Sequence, residues 1–172
     1  TGESVYKVMQ DLGVEMVFPL EQSCCGKPVA GMGDAASARR LAQRNIEAFE
    51  KADIDYLITA CATCTETWLH FPDLFEDDPA WQERARALAA KVREFTSFAA
   101  AEYEKQGRLK KQTGGKKVTY HDSCHMKRGL GIAEEPRRLL EAGGYELVEM
   151  KDCDKCCGMA GMFGVKYNEL SM

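Results

Sequence analysis

The chain twice sets two adjacent cysteines before a glycine, at Cys24, Cys25 and Gly26 and again at Cys156, Cys157 and Gly158. Each pair has company far along the chain. Cys61 and Cys64, in the stretch CATC, follow Cys25 after a gap of 35 residues, and Cys124, in HDSC, precedes Cys156 by a gap of 31. Laying Cys24 on Cys156 aligns GVEMVFPLEQSCCGKPVAGMG with GYELVEMKDCDKCCGMAGMFG, allowing one inserted residue, an internal repeat offset by 132 positions. A strand pattern, an acidic turn, the cysteine pair and a small-residue loop with methionine stand in both copies. A fold for this chain must therefore present two thiol-rich loops at equivalent places.

Adjacent cysteines narrow the chemistry. A disulfide between them is strained, because neighbouring alpha carbons lie closer than a disulfide prefers. The eight cysteines thus point to metal rather than to a covalent framework. Four cysteines in tetrahedral array form the usual structural zinc site. Cys61 and Cys64 suit that spacing, whereas Cys24 and Cys25 suit it poorly, since neighbouring side chains diverge. Such a pair more easily serves two metals of one cluster, and a polynuclear iron–sulfur cluster is the better match. Gly26 permits a tight turn at positive φ, and Gly158, Ala160, Gly161 and Gly164 would let backbone approach a cluster closely. Cys61 at a strand end and Cys64 in the first turn of the next helix meet free N–H groups and the positive end of the dipole. That placement predicts lowered thiol pKa values.

The elements between the cysteines alternate. Residues 13–20 read as a strand, Asp34 caps a helix through Lys51 with Ala38, Leu41, Ala42, Ile46 and Phe49 near one face, and residues 55–60 read as a second strand. This order predicts a parallel βαβ unit. Asp78 and Pro79 open a further helix, and Trp81, Ala85, Leu88, Val92, Phe95 and Ala99 continue its apolar stripe. The stripe is core, and Trp81 takes no functional role. Residues 105–117 are basic with a Gly-Gly pair and read as a solvated linker. Residues 117–124 then read as a strand, EEPRRLLEAGG as a short helix with Pro136 in its first turn and Gly143 past its end, and YELVEM as a strand.

Composition sets limits. Over 172 residues the net charge is −4, which gives no reason to expect nucleic acid or an anionic membrane. No apolar run reaches the roughly 20 residues of a membrane helix. The chain opens without Met in a helical turn and stops inside another helical pattern, so it reads as a piece of a longer polypeptide. There is no Ser-His-Asp order, P-loop or dinucleotide Gly-x-Gly-x-x-Gly.

These spacings resemble the cysteine-rich CCG domain, whose signature is a cysteine, a long gap, Cys-Cys-Gly, a second long gap and Cys-x-x-Cys. Relatives are the iron–sulfur subunits of glycolate oxidase and of bacterial lactate-utilisation dehydrogenases, and the cysteine-rich catalytic polypeptide of heterodisulfide reductase, usually with two such domains in tandem. CCG…CATC looks like the last two thirds of a first domain, and HDSC…CCGMAGMFG like the first two thirds of a second. The opening cysteine of the first motif would fall about eight residues before Thr1 by repeat spacing. The resemblance implies an α/β fold of two pseudo-symmetric Rossmann-like βα units with a long connecting helix. It places a first domain with the connecting helix at residues 1–104, the linker at 105–117 and a second domain at 118–172.

A complete motif of that family holds a cluster through five cysteines, in the best-understood relatives a non-cubane [4Fe-4S] pair. Carried over, Cys24, Cys25, Cys61 and Cys64 would serve one site, and Cys124, Cys156 and Cys157 the other. Some members hold zinc in one motif, and neither site of this chain has all five thiols, so an empty or zinc-filled site is the alternative. Cys153 matches no motif position and reads as an inert thiol. His121 and His125 read as structural hydrogen bonders at the strand end, with a cluster ligand or proton donor as the alternative; Asp122 and Arg128 read as residues that fix the loop, with a contact to a cluster sulfide as the alternative for Arg128; His70 reads as a helix-surface residue, and Met159 and Met162 as packing residues. The function implied is electron transfer in the iron–sulfur subunit of a flavin-dependent D-lactate or glycolate dehydrogenase. Its partners would be an FAD-containing dehydrogenase subunit and a ferredoxin-like domain or subunit. The location implied is cytoplasmic, peripheral on the inner face of the membrane through those partners. The rivals are a disulfide-reducing catalytic subunit and a zinc-stabilised assembly module.

Overall fold

The structure, a computed structural model, describes residues 2–158, 161 and 163–171, with Phe163 described through its backbone. Met159, Ala160 and Met162, named above for the loop after the second cysteine pair, lie outside the described residues. The chain divides within its basic stretch into two units, residues 1–110 and 111–172.

The first unit runs α1 (Gly2–Asp11), α2 (Lys27–Gly31), α3 (Ala35–Lys51), β1 (Leu57–Thr59), α4 (Ala62–Leu69), a 3-10 turn (Phe71–Phe75), α5 (Pro79–Lys91), β2 (Val92–Glu94) and α6 (Phe95–Lys105). Helix α3 starts where the sequence places it: the Asp34 carboxylate accepts from the Ser37 amide at 2.9 Å. Ala38, Ala42, Ile46 and Phe49 of that helix are buried. Asp78 likewise accepts from the Trp81 amide at 3.3 Å, with Pro79 in the first turn. The core gathers Ile46, Phe49, Leu57, Trp68, Phe71 and Phe75. Trp68 stacks on Phe71 at 5.2 Å and meets Phe49 edge-on at 5.2 Å.

Two expectations fail here. The stripe read as one long connecting helix breaks at Lys91, and Val92–Glu94 is a strand parallel to β1, in register Leu57↔Val92 and Thr59↔Glu94. Val92 and Glu94 are buried while Arg93 is exposed, a period of two that fits a strand. The Glu94 carboxylate then caps α6, accepting from the amides of Thr96 at 2.8 Å and Ser97 at 3.0 Å. Residues 13–20, read as a strand, pair with no strand among the described residues: residues 14–19 have no regular secondary structure, and Gly13 and Leu20 lie in turns. The parallel pair of this unit is therefore β1 with β2, crossed over through α4 and α5.

The second unit runs β3 (Lys117–Val118), a wide π-type turn (His125–Gly129), α7 (Glu134–Ala142), β4 (Glu146–Leu147), and the short helices α8 (Phe163–Lys166) and α9 (Asn168–Ser171). Here the expected strand, helix and strand are all present, the strands being short and parallel with Lys117↔Glu146 and Val118↔Leu147.

The repeat is visible in how α1 and α7 end. The amides of Leu12, Gly13 and Val14 donate to the carbonyls of Val8, Gln10 and Met9 at 3.0, 3.0 and 2.9 Å. Those of Gly143, Gly144 and Tyr145 donate to Leu139, Glu141 and Leu140 at 2.9, 3.1 and 3.1 Å, the same pattern. Gly13 and Gly144 sit at φ 76° and 84°, the left-handed stop that favours glycine. After that stop, β4 finds β3. Among the described residues, residues 14–19 pair with no strand.

Both halves of the basic stretch are tied down. Arg108 donates to Asp11 Oδ2 at 2.6 Å in the first unit. Lys111 reaches Glu141 at 2.6 Å, and the Gln112 side chain donates to the Ala142 carbonyl at 2.8 Å, in the second.

Candidate metal centres

In the first unit the loop after residue 20 delivers Cys24 exposed and Cys25 buried in the core. Gly26, at φ 87°, turns the chain directly into α2. Alanine at this position meets no steric block but must adopt the left-handed backbone, so Gly26→Ala should cost about 1–2 kcal/mol in urea unfolding. Cys61 sits immediately before α4 with extended backbone, and Cys64 lies in that helix's first turn. The Thr59 hydroxyl accepts from the Cys61 amide at 3.2 Å, and the Cys61 carbonyl accepts from the Thr65 amide at 2.9 Å. The strand end and the helix start thus fix Cys61 together.

Cys64 is half-buried, and the Cys25 and Cys61 thiols both act on its protonation. Burial pushes its thiol up, and the two neighbouring thiols push it further in the same direction. The lowered value expected from the helix terminus is therefore overturned: desolvation of a thiolate and the company of like groups outweigh the dipole. Metal binding here must displace a proton. Cys24 lines the same cleft as Cys25 and Cys64.

Asn45 holds this loop, and the sequence pattern alone does not single it out. It is fully buried. Its Oδ1 accepts from the Ser23 amide at 2.7 Å, and its Nδ2 donates to the carbonyls of Cys24 at 3.0 Å and Leu41 at 2.9 Å. The available signal is a polar residue at helical spacing between Leu41 and Phe49, inside an apolar stripe. Trp68, one turn beyond Cys64, is a second residue the spacing does not mark, and it lines the cleft beside the thiols.

In the second unit Cys124 precedes the π-type turn, a helical irregularity found often at functional sites. The Gly158 amide donates to Cys156 Sγ at 3.4 Å, and the Cys124 and Cys156 thiols act on one another's protonation. The Cys156 thiol raises that of Cys124, while the Gly158 amide, followed by the Cys124 thiol and the Arg128 charge, lowers that of Cys156. Cys156 is thus the readier thiolate of the two. Cys157 is exposed, near enough to Cys124 to raise it slightly.

Asp122 fixes the loop before Cys124, through partners the sequence did not indicate. Its amide donates to the Cys153 carbonyl at 2.8 Å. Its carboxylate accepts from Arg137 Nη1 at 2.6 Å and Nη2 at 3.2 Å. Arg137 also donates to Glu149 at 2.6 and 3.1 Å, so α7 clamps both thiol-bearing loops. Cys153 Sγ lies 3.6 Å from Asp122 Oδ2, and burial followed by that carboxylate pushes its thiol up. Cys153 stays a protonated donor in this network. His121 Nε2 lies 2.9 Å from the Lys155 carbonyl, tying the same two loops. His70 is exposed at the end of α4, 2.8 Å from Asp73.

The donor set, thiols in both units, suits a soft polynuclear centre. Among the described residues no three His, Cys, Asp or Glu side chains close on one point as a single-ion site.

Two units of helices and short parallel strands, each carrying a Cys-Cys-Gly loop and further thiols, define a cysteine-rich module. The chain belongs to the cysteine-rich domain (CCG) family, whose profile matches residues 1–67 and 118–172. It is 38% identical over 175 residues to lactate utilization protein A of Exiguobacterium sp. strain AT1b, covering 99% of this chain and 69% of that protein. It is 38% identical over 171 residues to lactate utilization protein A of Lysinibacillus sphaericus, covering 99% and 73%. A Bacillus subtilis protein named probable glycolate oxidase iron-sulfur subunit is 37% identical over 173 residues, covering 100% of this chain and 39% of its own length.

Proposed function

We propose that this chain is part of an iron–sulfur subunit serving oxidation of a 2-hydroxy acid, lactate or glycolate, and that it passes electrons from a flavoprotein partner to a quinone or another carrier. The observation that carries this reading is the repeated Cys-Cys-Gly loop, set in each unit beside further thiols. The names of the relatives supply the substrate class. Cys24, Cys25, Cys61 and Cys64 would hold one cluster, and Cys124, Cys156 and Cys157 would contribute to the other. Such a group, when bound, accepts and releases single electrons.

The chain's own residues bind and tune. Cys64 gives up its proton on loading, Gly158 offers an amide to sulfur, and the core around Trp68 keeps water from the inner thiols. The hydroxy acid itself would react at the partner's flavin, so no general base is required here. Among the described residues no helix is long and apolar enough to cross a membrane; an association with its surface would run through partners.

Metal and acid-labile sulfide analysis of the intact polypeptide, purified anaerobically, tests this. Near-equal iron and sulfide, with broad visible absorption that bleaches on reduction and is lost in Cys25→Ser, is the expected result. Zinc without sulfide would overturn it.

A further inference from the structure

Lys127 and Arg137, the cations that hold the thiol-bearing loops of the second unit, are both engaged with carboxylates. Lys127 Nζ lies 3.0 Å from Asp154 and 3.4 Å from Asp122, and Arg137 donates to Asp122 and Glu149 at 2.6 Å each. Arg128 differs from both. It is exposed, and among the described residues no carboxylate accepts a hydrogen bond from it.

The backbone sets Arg128 one turn beyond Cys124. Cys124 is itself helical, at φ −56° and ψ −43°, and caps the π-type turn that carries Arg128. The Lys127 amide donates to the Ser123 carbonyl at 3.0 Å and the Leu130 amide to that of His125 at 2.9 Å, so the coil is continuous across these residues. Residues four apart on a helical turn share a face. The charge is felt at the thiols accordingly. Cys156 and burial raise the Cys124 thiol and Arg128 acts against that rise, while at Cys156 it adds to the lowering begun by the Gly158 amide. In the first unit the groups that act on Cys64 are its burial and the thiols of Cys25 and Cys61, not a cation.

We propose that Arg128 tunes the second centre, raising its reduction potential by a fixed positive charge set beside Cys124 and Cys156. This rests on the iron–sulfur reading given above. Reduction adds one electron, delivered by the flavoprotein partner, and no bond to Arg128 forms or breaks. The extra negative charge is attracted to a nearby guanidinium more strongly than the oxidised state is, so the cation favours the reduced form. A guanidinium keeps its charge throughout the working pH range, so the bias is constant.

The test is a spectroelectrochemical titration of the intact polypeptide, purified anaerobically, as the parent protein, Arg128→Gln and Arg128→Lys. The signal lost in Cys156→Ser identifies the second centre. Arg128→Gln should make reduction of that centre about tenfold less favourable, which for one electron is a potential ~59 mV lower. Arg128→Lys should restore most of it, and the gap should narrow as ionic strength rises, because an exposed charge is screened. The potential of the first centre and the urea unfolding curve should not move. An unmoved potential in Arg128→Gln, an equal drop in both centres, or a spectrum untouched by Cys156→Ser would overturn this inference and leave an iron–sulfur protein standing. Absence of iron and sulfide from the parent protein would overturn that reading, and this inference with it.

Discussion

Replacing Asp122 with alanine is expected to destabilise the second unit by about 3–5 kcal/mol, the range for removing one member of a buried ion pair. The Asp122 side chain is 2% exposed and that of Arg137 12%, so water cannot take over the lost contact. Lys127 Nζ adds a longer approach at 3.4 Å. Urea unfolding of the two proteins measures the difference, and a loss under about 1 kcal/mol would place the pair among the weak surface bridges instead. The pH dependence carries a sign. Arg137 holds the folded Asp122 carboxyl below its ordinary 3.8, so its contribution is complete above that value and disappears as pH falls through the lower folded one. Arg137 lowers Glu149 and Lys127 lowers Asp154, and both act in the same direction. Acid should therefore loosen the parent's second unit progressively below about pH 4, and Asp122→Ala should show a flatter profile because it has less to lose.

Asn45→Ala is expected to cost about 2–4 kcal/mol in the first unit, because it strands the Ser23 amide and the Cys24 carbonyl, each worth about 1–3 kcal/mol when left buried and unpaired. The effect should reach the thiols. A supporting residue of this kind typically changes metal affinity about 10- to 100-fold, so competition with a chelator is the second readout. Unfolding read by tryptophan fluorescence supplies the first, with Trp68 packed in the same core. Normal metal affinity together with reduced stability would confine Asn45 to the fold.

What the sequence disclosed was local. Asp34 and Asp78 announce their helices because a capping carboxylate bonds two or three residues away, and residues 55–60 read as a strand, of which Leu57–Thr59 forms one, because the apolar run is short and bounded. Val92 and Glu94 misled because positions 88, 92, 95 and 99 satisfy a helical period while 92 and 94 also satisfy a strand's. Only the pairing with Leu57 and Thr59 decides between them. Residues 13–20 have the composition of a strand, yet a strand is a relation between two segments, and one segment cannot report its partner. The cysteine spacing singled out seven thiols. It could not indicate that Cys25 is buried while Cys24 is exposed, or that burial raises the Cys64 thiol. Asn45 and Arg137 escaped for a related reason: each acts on loops far from it in sequence, through partners that only the folded chain brings within reach.

The break at Val92–Glu94 also shapes how the first unit assembles. β1 must wait for α4, the 3-10 turn and α5 before β2 arrives beside it, so the sheet closes through a long crossover. Non-local parallel pairing of that kind is slow, whereas helices form within microseconds. The helices of this unit are therefore in place before its strands meet, and Leu57 remains open to solvent until Val92 reaches it. The most vulnerable interval in the life of this unit is the one before its last short strand docks.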